Sequence, residues 1–459
     1  MAVSRDSPAG LERRLGSLDA AAIIVSNVIG SGIFLTPALI AAMVPDARAM
    51  LAVWAAGGVL AFAGAMAYAE LAALRPRAGG EYVYLREAFG PVAAFLTGWT
   101  SFVAGFSGAV AASAVGLAAY LGRFVPAASD TTPIASLPLG IVTLTLSRQA
   151  LIAVAAIALL SLVHIRGVGP GRLMQNVLAS LKVTALLVLI ALGLSIGEGS
   201  MDHLAGGSPV AATGWLLALV PVMFSYSGWN AAAYVAEEVR NPERFVPRAL
   251  AIGTGAVIVI YLLLNFLYVY SLPIDQLSRL EGSVVDVIAD RLFGSAAGSL
   301  MGLVTIVSIA ASISAMIFAG PRVYYAMARD GLFFSAAGRV HPRYRTPAWA
   351  IAAQGVWSAL LVLSGGFEQL VEYTGFAVVL FAGIAGAALF VLRRRHRGEP
   401  RPFRAWGYPV APAVFVGASA LIVLNAMWQS PGPSGAGLAI IFAGLPIYLV
   451  LRSRATTKK

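Results

Sequence analysis

The fold is decided by two short stretches of sequence, Asn27-Val-Ile-Gly-Ser-Gly-Ile-Phe34 and Phe224-Ser-Tyr-Ser-Gly-Trp-Asn230. Each stretch interrupts a long apolar segment with glycine and small polar residues. A glycine inside a helix costs about 1 kcal/mol relative to alanine. Serine and asparagine side chains also compete for the hydrogen bonds of the helix backbone. We therefore predict that both segments begin as helices and unwind here, at residues 30–32 and around Gly228.

The segments around these two stretches have the composition of a membrane protein. Of 459 residues, 59% are hydrophobic and 12% are charged, with a mean hydropathy of +0.82. A soluble protein of this size needs more charge to cover its surface. About 20 apolar residues cross the hydrocarbon core of a bilayer, and a helix satisfies its own backbone hydrogen bonds there. We predict an all-α membrane protein with about twelve transmembrane helices, at residues 19–40, 49–73, 92–121, 150–165, 173–196, 214–235, 249–270, 297–328, 348–364, 367–392, 410–428 and 437–451.

The interrupted segments are the first and the sixth of these spans, so the same device recurs after five spans. Because five is odd, the second copy crosses the membrane in the opposite sense. Broken helices at matching positions of two inverted halves indicate a transport site near the midplane. We predict a ten-helix transport core at residues 18–392, with repeat one at about 18–196 and repeat two at about 212–392. Two accessory helices follow at 408–451, and residues 1–17 and 452–459 are short tails.

The basic residues predict the orientation of the chain. With the N-terminus in the cytoplasm, 26 of the 32 lysines and arginines lie on the cytoplasmic side, and both termini are cytoplasmic. Five lie in the opposite loops, at Arg48, Arg123, Arg148, Arg279 and Arg291, and Lys182 lies inside a span. This asymmetry follows the positive-inside rule. It accounts for the net charge of +11 without nucleic-acid binding. The hydrophilic residues 1–17 lead directly into a full-length span, so no cleavable signal is predicted.

Several classes of site and protein are disfavoured by what the sequence contains. The chain has no cysteine, so it forms neither a disulfide nor a thiolate metal site, and its four histidines are scattered. We therefore expect no metal site, no cofactor and no enzymatic centre. A channel would need a continuous polar lining, and a receptor would usually carry a larger soluble domain. These two alternatives are retained only as minor ones.

The break in the first span predicts a site for the two ends of an amino acid. Unwinding at Gly30 exposes the N–H groups of Ser31, Gly32 and Ile33 at the positive end of the second half-helix, where a carboxylate binds without a cationic side chain. The carbonyl groups near Val28 and Ile29 end the first half-helix and can accept hydrogen bonds from an ammonium group. The alternative is that small residues here only allow close helix packing.

The sixth span can add acceptors and a gate. Its break frees the carbonyl groups of Phe224, Ser225 and Ser227 for the same ammonium group. Aromatic side chains next to the break can close over a substrate, and Phe224 is the predicted gate. Ordinary packing is the alternative for each aromatic residue.

Lys182 is the second indication of function. It lies ten residues beyond Arg172, or about 15 Å along a helix, which is near the middle of the membrane. A charge there is costly and usually functional. We predict that its ammonium group takes the place of a bound cation and contacts freed carbonyl groups of the first span and the hydroxyls of Ser308 and Ser312. The alternative is a side chain that extends to the membrane interface.

The acidic residues bear on substrate and coupling. Glu70, Glu237 and Glu238 lie near cytoplasmic span ends, where we expect ion pairs with Arg75 and Arg240, and none lies in mid-span. Without a fixed charge to compensate an ionic side chain, a small or medium neutral substrate is favoured. Exchange is favoured over proton symport, although titration of the buried lysine keeps symport open. A polyamine permease would need an acidic side chain facing the pocket.

Four motifs resemble those of the amino acid–polyamine–organocation superfamily, and most closely bacterial members of its L-type amino acid transporter branch. They are VIGSGIF at 28–34, YAELAALRPRAGGEYVYLREAFG at 68–90, FSYSGWN at 224–230 with EEVRNP at 237–242, and RVYYAMARDG at 322–331. The likeness covers nearly the whole chain. It implies a LeuT-like five-plus-five fold in the bacterial inner membrane and sodium-independent amino acid transport, often by exchange.

The resemblance also implies roles for individual residues. It places the substrate carboxylate at Ser31 and Gly32, and the amino group at the carbonyls of Val28, Phe224 and Ser227. It matches Asn230 to a pocket-side asparagine and Lys182 to a fifth-span lysine that replaces sodium. Ser227 stands where relatives have a small or acidic residue. Because the chain has no cysteine, the disulfide-linked heavy chain of animal members is not expected.

Overall fold

The protein is almost entirely helical. The computed structural model describes residues 11–138, 143–205, 207–280, 282–364, 367–429 and 431–456. Within these ranges nine helices are long and apolar enough to cross a membrane, one further span is a bent helix pair, and two apolar helices are shorter. The segments that correspond to the twelve predicted spans, called spans below, are in chain order Ser17–Val28 with Ser31–Met43, Ala47–Leu74, Pro91–Leu121, Arg148–Ile165, Val168–Ser195, Ala212–Tyr226 with Ala231–Tyr234, Pro242–Ser271, Ser295–Arg329, Ala348–Ser364, Phe367–Arg395, Val410–Gln429, and Pro431–Phe442 with Gly444–Thr456. The prediction of an all-α membrane protein is confirmed.

The first span is broken where glycine interrupts the apolar run. Its two half-helices meet at an angle of 42°. The break lies at Ile29 and Gly30, whose backbone angles are not helical. The second half-helix begins at Ser31, so Gly32 is already part of its first turn. The interruption predicted at residues 30–32 is present and lies one residue earlier.

The sixth span is broken around Gly228. Its first helix ends at Tyr226, residues 227–230 form a turn, and a single helical turn follows at Ala231–Tyr234. Gly228 has a φ of +97°, and a Cβ there would lie 2.7 Å from Cγ of Asn27. Only glycine fits this position without strain. The second break is therefore built against the residues that precede the first one.

The connections between spans carry additional structure. Three short helices lie in them, at Glu81–Phe89, Ile274–Leu277 and Val284–Phe293, and the strands Ala135–Pro138 and Thr143–Leu146 pair in an antiparallel ladder. The helix Val284–Phe293 has Ser283 as its N-cap. Burial raises the pKa of Asp286 in this helix, while the hydroxyl of Ser283 and the guanidinium of Arg123 oppose the rise. The strand pair was not predicted from the sequence.

Buried ion pairs join the ends of distant spans. Glu238 accepts two hydrogen bonds from the guanidinium of Arg322, with N–O distances of 2.7 and 3.1 Å, and both side chains are almost fully buried. The pairs predicted for Glu70, Glu237 and Glu238 exist, but with other partners. Glu70 binds arginines of the tenth span and its C-terminal connection, and Glu237 and Glu238 bind arginines of the eighth span. Arg75 instead pairs with Glu87 and Glu399, and it lowers the pKa of Glu399.

We expect Glu238→Gln to destabilise the protein strongly. Removal of one charge leaves the guanidinium of Arg322 buried without its counter-ion, and such losses cost about 3–5 kcal/mol. The melting temperature in detergent, followed by tryptophan fluorescence, measures the effect. Glu12→Gln is the control, because the pair between Glu12 and Arg14 is exposed and such pairs contribute about 0–1 kcal/mol. Equal melting temperatures for the two variants would contradict the expectation.

Candidate functional site

Lys182 holds the end of the first half-helix. Its side chain is fully buried, and its Nζ donates hydrogen bonds to the carbonyl oxygens of Ser26, at 2.9 Å, and Ile29, at 2.6 Å. The last carbonyl groups of a helix have no partner within it, so they are strong acceptors where the chain unwinds. The fifth span therefore fixes the first span at its break through the amino group of this lysine.

The two carbonyl groups between these acceptors are also bonded by side chains. The hydroxyl of Ser312 donates to the carbonyl oxygen of Asn27, at 3.0 Å. The hydroxyl of Tyr261 donates to that of Val28, at 2.7 Å, and to that of Ser225 in the sixth span, at 3.0 Å. All four carbonyl groups of residues 26–29 thus accept a hydrogen bond from the fifth, seventh or eighth span. The acceptor role predicted for Val28 and Ile29 is already filled in this state by protein donors.

The two serines predicted beside Lys182 are both buried in the eighth span. Ser312 contacts the first span directly, as described. The hydroxyl of Ser308 is buried and has no hydrogen-bond partner among the described residues. The lysine contact therefore consists of backbone carbonyl groups.

The second half-helix of the first span presents its N-terminus without a side-chain cap. The N–H groups of Ser31, Gly32 and Ile33 belong to its first turn, which has no intrahelical acceptors. Gly32 packs directly against the sixth span, because a Cβ at this position would lie 2.8 Å from Cα of Ser225. The hydroxyls of Thr36 and Ser225 lie 2.8 Å apart and are hydrogen-bonded. The two interrupted spans therefore touch at their breaks.

A cavity of about 90 Å³ lies beside the two breaks. The first span contributes Asn27, and the sixth span contributes Phe224, Ser227, Gly228 and Asn230. Of the residues predicted to bind substrate, Phe224, Ser227 and Asn230 line this cavity. The others do not line it and are buried in the protein: Val28, Ile29, Gly30, Ser31, Gly32, Ile33 and Ser225.

The opposite wall comes from elements that the sequence analysis did not connect with the site. The third span contains a π-helical turn at Ser101–Gly105 that faces the cavity together with Thr100. Such turns are frequent at functional sites. The hydroxyl of Thr100 is buried and has no hydrogen-bond partner among the residues that the structure describes. The tenth span adds Phe381.

Glu81 is the most consequential residue that sequence reasoning missed. It is the first residue of the helix Glu81–Phe89, follows two glycines with positive φ, and lines the cavity. Its Oε1 accepts hydrogen bonds from the hydroxyl of Tyr68, at 2.6 Å, and from Nδ2 of Asn230, at 2.9 Å. The glycine pair signalled a sharp turn, but nothing in the sequence showed that this connection folds back to the sixth span. An acidic side chain does face the pocket.

This geometry defines the class of protein. A multi-pass membrane protein with two interrupted helices in contact beside a small polar cavity has the architecture of a secondary transporter. A model of the amino acid permease family matches residues 15–451. The chain belongs to this family, within the amino acid–polyamine–organocation superfamily, and it is a transporter of amino acids and not an enzyme.

Individual relatives are similar along almost the whole chain. The serine/threonine exchanger SteT of Bacillus subtilis (strain 168) is 29% identical over 449 residues, which are 97% of this chain and 98% of that protein. The b(0,+)-type amino acid transporter 1 of Rattus norvegicus is 31% identical, over 92% of this chain and 84% of that protein. The human cystine/glutamate transporter is 27% identical, over 95% and 85%.

Proposed function

We propose that the chain is a sodium-independent exchanger of small or medium neutral L-amino acids that works by alternating access. The observation that carries the proposal is the contact between the two breaks. This contact brings the uncapped helix N-terminus at residues 31–33 beside the unwound turn of the sixth span. A substrate carboxylate would bind the N–H groups of Ser31, Gly32 and Ile33. Its ammonium group would bind carbonyl groups of the sixth span at Phe224 and Ser227.

The contacts of Lys182 support sodium independence. A bound cation at this break would be coordinated by backbone carbonyl groups, and the ammonium group of Lys182 bonds two of them. The ammonium group would thus take the place of the sodium ion that unwound backbone carbonyl groups coordinate in other transporters. The name of one relative, an exchanger of serine and threonine, is consistent with exchange.

The proposal also covers the gate, the extent of the transport core and the membrane location of the protein. Phe224 lines the cavity and would close it when the site is occupied. Residues 18–392 would form the transport core, and 408–451 two accessory spans. The basic loops would place both termini in the cytoplasm of a bacterium, with the chain in the inner membrane. The chain would act without a disulfide-linked heavy chain, since it contains no cysteine.

Proteoliposomes test the exchange. We expect the initial rate of labelled amino acid uptake to rise severalfold when the vesicles are preloaded with unlabelled amino acid, and to stay the same when external sodium is replaced by choline. Exchange requires the loaded carrier to return, so an empty interior should slow it. Uptake that ignores the internal amino acid but follows an imposed pH gradient would overturn the exchange proposal.

Proton-coupled symport is the second candidate. It is favoured by one observation, the carboxyl group of Glu81 in the cavity wall. This group gives the pocket a titratable side chain, whereas the sequence analysis found no acidic residue in the middle of a span. The same vesicles separate the two candidates, because symport would respond to the pH gradient without internal substrate.

A further inference from the structure

The amide group of Asn230 is held in one orientation by its neighbours. Its Nδ2 donates to Oε1 of Glu81, at 2.9 Å, and to the hydroxyl of Tyr234, at 3.1 Å. An amide nitrogen has two hydrogens, and both are used by these bonds. Because a carboxylate only accepts hydrogen bonds, the amide of Asn230 must turn its nitrogen, and not its oxygen, toward Glu81. No described residue donates to Oδ1 of Asn230, and Asn230 lines the cavity.

Glu81 itself is held rigidly as an acceptor. The hydroxyl of Tyr68 donates to the same Oε1 at 2.6 Å, which is a short hydrogen bond. The ring of Tyr68 is fixed in turn by edge-to-face contacts with Tyr84 and Trp229, at centroid distances of 5.8 and 4.8 Å. Glu81 is thus fixed by two donors, one from the second span and one from the sixth.

The donors around Glu81 limit what can use these acceptors. The cavity, of about 90 Å³, has room for several water molecules at roughly 10–15 Å³ for each. The carboxyl group of Glu81 already has two protein donors, from Tyr68 and Asn230, so it does not require a cationic partner. A side chain with a single hydroxyl donor fits this chemistry.

We propose that Glu81 determines substrate specificity. Directly and by orienting Asn230, it makes one end of the cavity a hydrogen-bond acceptor surface, which selects amino acids with a small hydroxyl side chain over their apolar isosteres. The proposal rests on the proposed function and names its substrate class. An apolar isostere such as valine would leave buried acceptors without a donor, and sites that bond a hydroxyl reject analogues that lack it. The hydroxyl of Thr100 on the opposite wall can accept or donate a further bond.

The experiment measures competition in proteoliposomes that contain the full-length protein. Threonine and valine, which have the same shape, compete with uptake of labelled serine into vesicles loaded with unlabelled serine. We expect threonine to compete about 10- to 100-fold better than valine in the wild type, as for a hydrogen bond to a charged group. Glu81→Gln should bring this ratio close to one by weakening the binding of threonine. The glutamine side chain has a single oxygen, and that oxygen must accept the hydrogen bond from the hydroxyl of Tyr68. Glu81→Asp should keep part of the preference.

Glu87→Gln is the matched control, because it is the same substitution in the same helix. Its carboxylate pairs with Arg75 and does not line the cavity, so the ratio should stay at the wild-type value. A Glu81→Gln protein that exchanges serine with an unchanged ratio would overturn the proposal. Two results with the wild type alone would also overturn it: a ratio of threonine to valine competition near one, and competition by arginine as strong as that by threonine. A wild type that exchanges no amino acid at all would instead remove the proposed function.

Discussion

Lys182→Met is expected to abolish measurable exchange while the protein still inserts and folds. Methionine keeps an unbranched apolar side chain of similar length, but it leaves the carbonyl groups of Ser26 and Ile29 without a donor. Two hydrogen bonds from a charged group contribute about 3 kcal/mol or more, which corresponds to about 100-fold in rate. The loss falls on the end of the first half-helix, which must keep its position for the substrate site to form. Initial exchange rates in proteoliposomes measure the effect.

Gln175→Met is the control for this variant. Gln175 is also buried in the fifth span and donates to the hydroxyl of Ser314, at 2.6 Å, so its replacement removes a buried hydrogen bond away from the break. We expect a lower melting temperature but retained exchange. If Lys182→Met exchanged amino acids at the wild-type rate, the lysine would be a packing residue, and the sodium-independence argument would lose its basis.

The interruption of the spans could be predicted because its causes are local. Gly30, Gly32 and Gly228 lie within short polar stretches of otherwise apolar segments, and helix propensity depends on the residue and its near neighbours. Lys182 stood out for a similar reason, since a charge inside a span is costly wherever its partner lies. The contact of its ammonium group with the first span could be predicted from the fold and from the expectation that freed carbonyl groups attract donors.

The parts of the site that depend on long-range folding could not be predicted. Glu81 follows the second span in sequence, and its place in the cavity wall depends on how the short helix after Gly80 turns back to the sixth span. The partner of Glu238 was sought at the nearby Arg240, but the structure supplies Arg322 from the eighth span. Charged side chains pair with whatever the fold brings near them, and sequence distance does not restrict that choice. The donor of Val28, Tyr261, was missed for the same reason.

Gly32→Ala is expected to impair exchange by at least about tenfold, because it forces the two interrupted spans apart. The new Cβ would lie 2.8 Å from Cα of Ser225 and 3.1 Å from its Cβ. Backbone atoms cannot rotate away, so one of the half-helices must shift. Overpacking of this kind costs about 1–3 kcal/mol, and each 1.36 kcal/mol lost in the transport cycle is about tenfold in rate. Exchange rate and apparent affinity in proteoliposomes are the measurements.

Two other glycines give a graded control series. Gly255→Ala in the seventh span meets no atom within 4 Å, so exchange should be unchanged. Gly30→Ala would meet the hydroxyl oxygen of Ser312 at 2.8 Å and its Cβ at 3.0 Å. Rotation of the side chain relieves only the closer of these contacts, and neither involves backbone atoms, so an intermediate loss is expected. If Gly32→Ala behaved like Gly255→Ala, the breaks would not need to touch during transport. The carboxylate site proposed at Ser31, Gly32 and Ile33 would then have to be abandoned, because its donors are positioned by that contact.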